Sequence, residues 1–245
     1  MRLFVGLTPP PPVRDELVRA LESSRAWWPV LRRVDPVNWH VTLSFLGEVP
    51  DGALPGLRSR LGDAVAGHEP MTLSFTGAGA FPSADGARVF WTGVDGDRSR
   101  LARLAASVED AAQVDHGSRV DRDPRDPHGA GAGLVGSGAG LDGSAGAGAG
   151  GKAGRAGASR AGARAGTGRA GRRFTPHLTL ARCRPGTDVR GLVEEFAPFS
   201  GTAWEAATVH LMRSDAGAAL RRGDEVRYES VAQWCLTARA HRGQS

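Results

Sequence analysis

Apolar positions along the chain recur with two periods, and the switches between them lay out the elements. Arg2 to Leu7 is an apolar run of strand length, and Pro11-Pro12 follows where proline is tolerated, in the first turn of a helix. Val13, Leu17, Ala20 and Leu21 keep helical spacing behind it. A turn-rich stretch from Trp27 to Asn38 leads into a second strand, apolar from Val41 to Leu46 and ending near Gly47. Leu54, Leu57, Leu61 and Val65 mark a second helix. Strands over 71–80 and 88–94 are joined by Pro82-Ser83-Ala84-Asp85-Gly86, a run of turn residues. Leu101, Leu104, Ala105, Val108 and Ala112 then make a third amphipathic helix. After a long interval a strand from Leu178 to Cys183, a helix opening at Thr187-Asp188 and carrying Val189, Leu192, Val193 and Phe196, and two long strands over 203–213 and 225–236 close the chain. The turn between those last strands holds Asp215-Ala216-Gly217 and Arg222-Gly223-Asp224.

Two of these strands begin alike. His40-Val41-Thr42-Leu43 and His177-Leu178-Thr179-Leu180 share the form H-x-T-L, and each motif strand is followed by a helix and a strand pair. Side chains alternate faces along a strand, so the His and Thr of each motif share one face while Val41 and Leu43, or Leu178 and Leu180, enter a core. The pattern predicts an α+β fold of two related lobes with mostly antiparallel sheets.

Composition changes the picture in one place. From 117 to 171 the sequence is almost wholly Gly, Ala, Ser and Arg, with too little apolar area to offset the entropy of ordering it, and the expectation is a disordered insertion. It contains eight basic side chains against four acidic ones, a net +4 of the chain's +5. The basic balance therefore says little about the folded part. The insertion's Gly131-Ala132-Gly133-Leu134-Val135-Gly136 spells G-x-G-x-x-G with no strand before it, and its near P-loop, Gly146 to Ala153, lacks the required Ser or Thr; both are accidents of low complexity. The rest divides into 1–116 and 172–237 as one bilobal domain, with 238–245 as a flexible tail. No apolar stretch approaches the ~18 residues of a membrane span, and Leu3 to Leu7 is too short for a signal-peptide core. Cys183 and Cys235 lie on strands rather than in a spaced framework, so a reduced, cytoplasmic protein is expected.

Paired histidines suit acid–base chemistry: a neutral imidazole takes a proton from a nucleophile while an imidazolium gives one to the leaving group. The hydroxyls of Thr42 and Thr179 can donate to the non-bridging oxygens of a phosphate and share its developing charge. A metal is the competing reading. Zinc needs three or four ligands, which neither motif supplies at close spacing, although Cys183 lies an even number of residues from His177 and could share its face. His210 alternates within a strand and reads as structural; His68, His116, His128 and His241 have no repeated context. No nucleophile elbow of the form G-x-S-x-G appears.

The two H-x-T motifs resemble those of the 2H phosphoesterases, and in particular the RNA 2′,3′-cyclic phosphodiesterases, also called 2′-5′ RNA ligases. The similarity extends to Arg2-Leu3-Phe4-Val5-Gly6-Leu7, Ser44-Phe45-Leu46-Gly47, Gly79-Ala80-Phe81-Pro82, Phe174-Thr175-Pro176, Ala181-Arg182 and Leu211-Met212-Arg213-Ser214. It implies a bilobal fold of two pseudo-symmetric lobes around a central groove lined by both motifs, and a monomeric enzyme that needs no cofactor and no metal. The implied reaction is hydrolysis of an RNA 2′,3′-cyclic phosphate end to a 2′-phosphomonoester. Carried over, His40 is the proton donor to the departing 3′ oxygen, His177 the proton acceptor from water, and Thr42 and Thr179 hold the phosphate. Arg182 adds a charge-assisted contact, and Phe45 is either core or a stacking platform for a base. Ligation of tRNA halves through a 2′-5′ linkage, or RNA binding without turnover, are the alternatives. The insertion at 117–171 departs from the short connection usual in that family; its basic residues could attract RNA phosphates loosely, or it is a tolerated surface expansion.

Overall fold

The computed structural model describes residues 1–113, 174–215 and 226–237. The insertion at 117–171, the tail at 238–245, most of the turn between the last two strands, and His116, His128 and His241 lie outside the described residues.

The described chain runs β1 (Arg2–Leu7), α1 (Pro11–Glu22), β2 (Leu31–Arg33), β3 (Val41–Glu48), α2 (Leu54–Ala66), β4 (Met71–Phe81), β5 (Ala87–Gly96), α3 (Arg98–Gln113), β6 (His177–Thr187), α4 (Arg190–Phe196), β7 (Trp204–Ala206), β8 (Thr208–Ser214) and β9 (Tyr228–Cys235). The strands form one antiparallel sheet in the order β7-β4-β5-β6-β3-β1-β8-β9, with β2 paired to β6 beside that path. The two motif strands, β6 and β3, sit at its centre, with three strands flanking each. They meet at a single pair, Val41 opposite Leu178. The α+β, two-halved architecture is thus present, with the halves continuous through that bridge.

Period-two burial builds the core. Leu3, Val5 and Leu7 of β1, Val41 and Leu43 of β3, Phe90 and Val94 of β5, Leu178 and Leu180 of β6, and Val209 and Leu211 of β8 are all buried in one apolar cluster. Helices cover that side: α2 and α3 pack on each other and reach β9 and β3, while α4 packs on β4. The Glu16 carboxylate of α1 accepts from the backbone N–H of Thr202 (2.9 Å) and holds that helix to the β7 end. The opposite side of the sheet carries the motif histidines and is called the histidine face below.

Three elements differ from the sequence pattern. The strand expected over 203–213 is two strands divided at Ala207: β7 pairs with β4 at one end of the sheet and β8 with β1 towards the other. So short a link cannot span a flat sheet, since extended chain advances at most ~3.6 Å per residue, and the sheet curls to bring these ends together. The last strand starts at Tyr228 rather than 225. The stretch before His40 contains 3-10 turns over Arg25–Val30 and Pro36–Asn38 and the short strand β2. No apolar alternation announces these, because their order comes from contacts distant in sequence. Trp27 Nε1 and Ser24 Oγ both donate to the Glu195 carboxylate of α4.

Candidate active site

The site starts from one register. With Val41 opposite Leu178 and both buried, the antiparallel pairing carries His40 towards Thr179 and Thr42 towards His177, all four on the histidine face. Each hydroxyl therefore stands beside the histidine of the other motif. The two imidazoles occupy a diagonal, for which the backbone separation is roughly 7–8 Å.

Both rings are held the same way. His40 Nδ1 lies 2.7 Å from the backbone oxygen of Asn38, and His177 Nδ1 lies 2.8 Å from that of Thr175, two residues upstream in each case. A carbonyl only accepts, so Nδ1 carries the proton and donates it. Nε2 is left as the atom that accepts a proton when the ring is neutral and delivers one when it is charged. Aromatic rings fix the imidazoles laterally. His40 packs on Phe4 (centroids 4.5 Å) and against Tyr228 (5.2 Å, edge-on). His177 packs against Phe81 (5.0 Å, edge-on) and Trp91 (5.9 Å). The carbonyl that orients His40 is itself anchored. Asn38 is buried, its Nδ2 donates to the Val226 oxygen (2.8 Å), and its Oδ1 accepts from the Tyr228 N–H (3.2 Å).

These apolar walls have an electrostatic consequence. Burial disfavours the charged ring and pushes His40 down to about 4; its bond to Asn38 opposes this, while repulsion from His177 and Arg182 adds to it. His177 is also lowered, by burial first, with the Thr175 carbonyl opposing. His40 is the more strongly displaced.

A β-bulge in each motif decides what else reaches this face. Gly6 is opposite Thr42 while Val5 is opposite Ser44, leaving Leu43 as an extra residue in β3. Trp91 is opposite Thr179 while Phe90 is opposite Ala181, leaving Leu180 as the extra residue in β6. The bulge falls at the same point of both motifs, and beyond it the alternation inverts. Phe45, paired with Phe4, joins the histidine face, with its ring 6.2 Å from that of Phe4. Arg182, paired with Val89, joins it from the other half. Both positions are odd-numbered steps from their histidines, so simple alternation puts them on the core side. The same inversion corrects the reading of Cys183: it is turned from the His177 face and packs against the apolar core. Among the described residues no group of three His, Cys, Asp or Glu side chains converges as a metal site. His210 pairs with Gly6 and so lies on the histidine face, with Nδ1 3.2 Å from Ser230 Oγ. His68 Nε2 meets Ser107 Oγ (3.0 Å), linking the end of α2 to α3.

The four-residue cluster, its doubled scaffold and the curled sheet can be set beside known proteins. The model of the LigT-like phosphoesterase family matches residues 7–91, which include the first motif and end before the second. An RNA 2′,3′-cyclic phosphodiesterase of Archaeoglobus fulgidus is 36% identical over 123 residues, 50% of this chain and 67% of that protein. The chain belongs to the LigT-like 2H phosphoesterases. An RNA 2′,3′-cyclic phosphodiesterase of Methanothermobacter thermautotrophicus is 32% identical over 123 residues, with 50% and 66% of the two chains covered. The fold extends the similarity across both halves. The solved structure of TT0787 of Thermus thermophilus gives a TM-score of 0.64 at 22% identity, covering 98% of this chain and 100% of that one. E. coli LigT complexed with 3′-AMP gives 0.60 at 19% identity, covering 97% and 98%.

In this 2H phosphoesterase the sequence pattern did not point to Phe4, Tyr228, Phe81 and Trp91 as the walls of the two histidines, nor to Gly6. A Cβ on Gly6 would sit 2.9 Å from the Val41 oxygen and 3.6 Å from Cδ2 of His40. The absence of a side chain there is what lets the His40 ring lie over β1. Gly6→Ala is expected to destabilise the fold by about 1–3 kcal/mol, read as a lowered urea midpoint. A midpoint equal to that of the unaltered protein would contradict the close approach.

Proposed function

We propose that the protein hydrolyses RNA 2′,3′-cyclic phosphate ends to 2′-phosphomonoesters, with His40 as general acid and His177 as general base. The observation that carries this reading is the pair of Nδ1-anchored imidazoles on one face, each leaving Nε2 for the reacting group. Nε2 of His177 takes a proton from water as the water oxygen bonds to phosphorus. The bond from phosphorus to the 3′ oxygen breaks, and Nε2–H of His40 protonates that oxygen. A 3′-hydroxyl and a 2′-phosphate result, and solvent exchange returns the proton from His177 to His40. Thr42 and Thr179 donate to the non-bridging oxygens, and the Arg182 guanidinium offsets the negative charge. No group beyond these side chains is needed to balance the step.

The depressed pKa values fit this division. Both free imidazoles are neutral near neutral pH, and an anionic phosphate between them restores a proton. The His40 imidazolium, more strongly displaced, is then the readier donor. The reactive form has one ring charged and one neutral, and its population peaks between the two apparent values. Since both lie below the ordinary 6.5, kcat/KM is expected to peak on the acid side of that value. Above it kcat/KM falls by up to about tenfold per pH unit, while kcat holds to higher pH because the bound anion raises both rings. A kcat/KM that rises steadily through neutral pH would contradict the assignment.

The direct test of the function is incubation of an oligonucleotide ending in a 2′,3′-cyclic phosphate with the protein in EDTA. A 2′-phosphomonoester product is expected. A 3′-phosphate product, no turnover, or turnover only after a divalent metal is restored would each refute the reading.

A further inference from the structure

Beside the four motif residues, the sheet brings two arginines together. Strand β2 lies against the later part of β6, with Leu31 opposite Cys183, Arg32 opposite Arg182 and Arg33 opposite Ala181. Directly opposed residues share a face. Leu31 accordingly packs on the apolar core with Cys183, and Arg32 shares the histidine face with Arg182, which the Leu180 bulge has turned there. Arg33 takes the other side, where its guanidinium lies 4.1 Å from the centre of the Trp28 ring. Arg32 and Arg33 are both exposed, but Arg33 is engaged by an aromatic ring while Arg32 stands on the reacting side.

Like charges directly across a strand pair repel and cost stability. An anion between or beside them reverses the sign of that contribution, and two guanidinium forks suit phosphate oxygens in particular. The position along β6 says which phosphate. A strand advances about 3.3 Å per residue, so the backbone at Arg182 lies roughly 15 Å from that at His177. Arg182 can reach back towards the reacting phosphate, and its charge acts on His40. Arg32, directly opposite on the next strand, stands at the same level along the sheet, but of the two arginines only Arg182 adds its charge to those acting on His40.

We propose that Arg32, paired with Arg182, forms a subsite for a backbone phosphodiester of the RNA chain upstream of the cyclic end, so that the site distinguishes an oligonucleotide from a mononucleotide. This rests on the proposed hydrolysis of cyclic phosphate ends and adds the substrate class: a chain with at least one internal phosphodiester. Arg182 serves both phosphates, and Arg32 serves the internal one alone.

The experiment compares a trinucleotide ending in a 2′,3′-cyclic phosphate with the mononucleoside 2′,3′-cyclic phosphate of the same base, for the unaltered protein, Arg32→Gln, Arg32→Lys and Arg33→Gln. In Arg32→Gln the ratio of kcat/KM for trinucleotide over mononucleotide should fall about tenfold, the worth of one charge-assisted hydrogen-bonded contact, and mainly through KM of the trinucleotide. The log–log salt dependence of that KM should flatten by about 0.7, the share of one single-strand phosphate contact. Arg32→Lys keeps the charge without the fork and should fall between the two; Arg33→Gln should keep the ratio. An unchanged ratio in Arg32→Gln, with both substrates processed, overturns the subsite and leaves the proposed function standing. An equal fall in Arg33→Gln overturns it in favour of general charge. An unaltered protein that processes neither substrate overturns the proposed function and the subsite with it.

Discussion

Replacing His40 or His177 by alanine is expected to lower turnover of a 2′,3′-cyclic-ended oligonucleotide by about 10²–10⁴-fold, the usual worth of a positioned acid or base. The two losses should not multiply in the double variant, because acid and base act in one concerted transfer and neither helps fully without the other. The pH profile separates the roles. Without His177, the limb on which activity rises with pH should vanish, since that limb reports the base losing its proton. Without His40, the falling limb should vanish, since it reports the acid losing its own. Stability provides the control. Each ring fills a place between two aromatic side chains, Phe4 and Tyr228 or Phe81 and Trp91, so alanine leaves a gap near the surface of the sheet. A modest fall in Tm is expected with folding retained. Activity within twofold of the unaltered protein in either variant would overturn the acid–base pair.

Thr42→Val and Thr179→Val should produce the next largest effect. Valine keeps the shape of threonine and removes only the hydroxyl, so packing and strand preference are nearly preserved. If each hydroxyl donates to a non-bridging oxygen whose charge grows at the transition state, its removal should cost about 10²-fold. The loss should appear in kcat more than in KM, because the bond strengthens as charge develops. The register adds a finer expectation. Thr42 stands beside His177 and Thr179 beside His40, so neither hydroxyl belongs to its own motif's histidine alone. Combining His177→Ala with Thr42→Val should therefore give a coupling different from that of His177→Ala with Thr179→Val. Equal couplings would contradict the crossed arrangement.

Much of this site was legible in the sequence because alternation on a strand is a strict geometric fact. His40 and Thr42, or His177 and Thr179, two residues apart with a buried residue between, had to share a face. The β-bulges were not legible. One extra residue at Leu43 and one at Leu180 invert everything downstream, turning Phe45 and Arg182 onto the histidine face and Cys183 off it. Nothing in a run such as Leu178-Thr179-Leu180-Ala181 marks the bulge, because it is fixed by pairing with β5 and not by local preference. Strand β2 was hidden for a related reason: three residues, two of them arginine, have no apolar period, and β6 supplies their pairing. The division of β7 from β8 at Ala207 is set by the curl of the sheet, which the apolar run across it does not reveal.

The central claim, that both imidazoles address one phosphate through Nε2 while Nδ1 stays bonded to the backbone, is tested most directly by NMR of the histidine side-chain nitrogens during titration with a nucleoside 2′-phosphate. The Nε2 resonances of His40 and His177 are both expected to move with the same saturation curve towards protonated nitrogen, while both Nδ1 resonances remain those of a protonated donor. A shift confined to one histidine, or an Nδ1 that loses its proton on binding, would contradict the account.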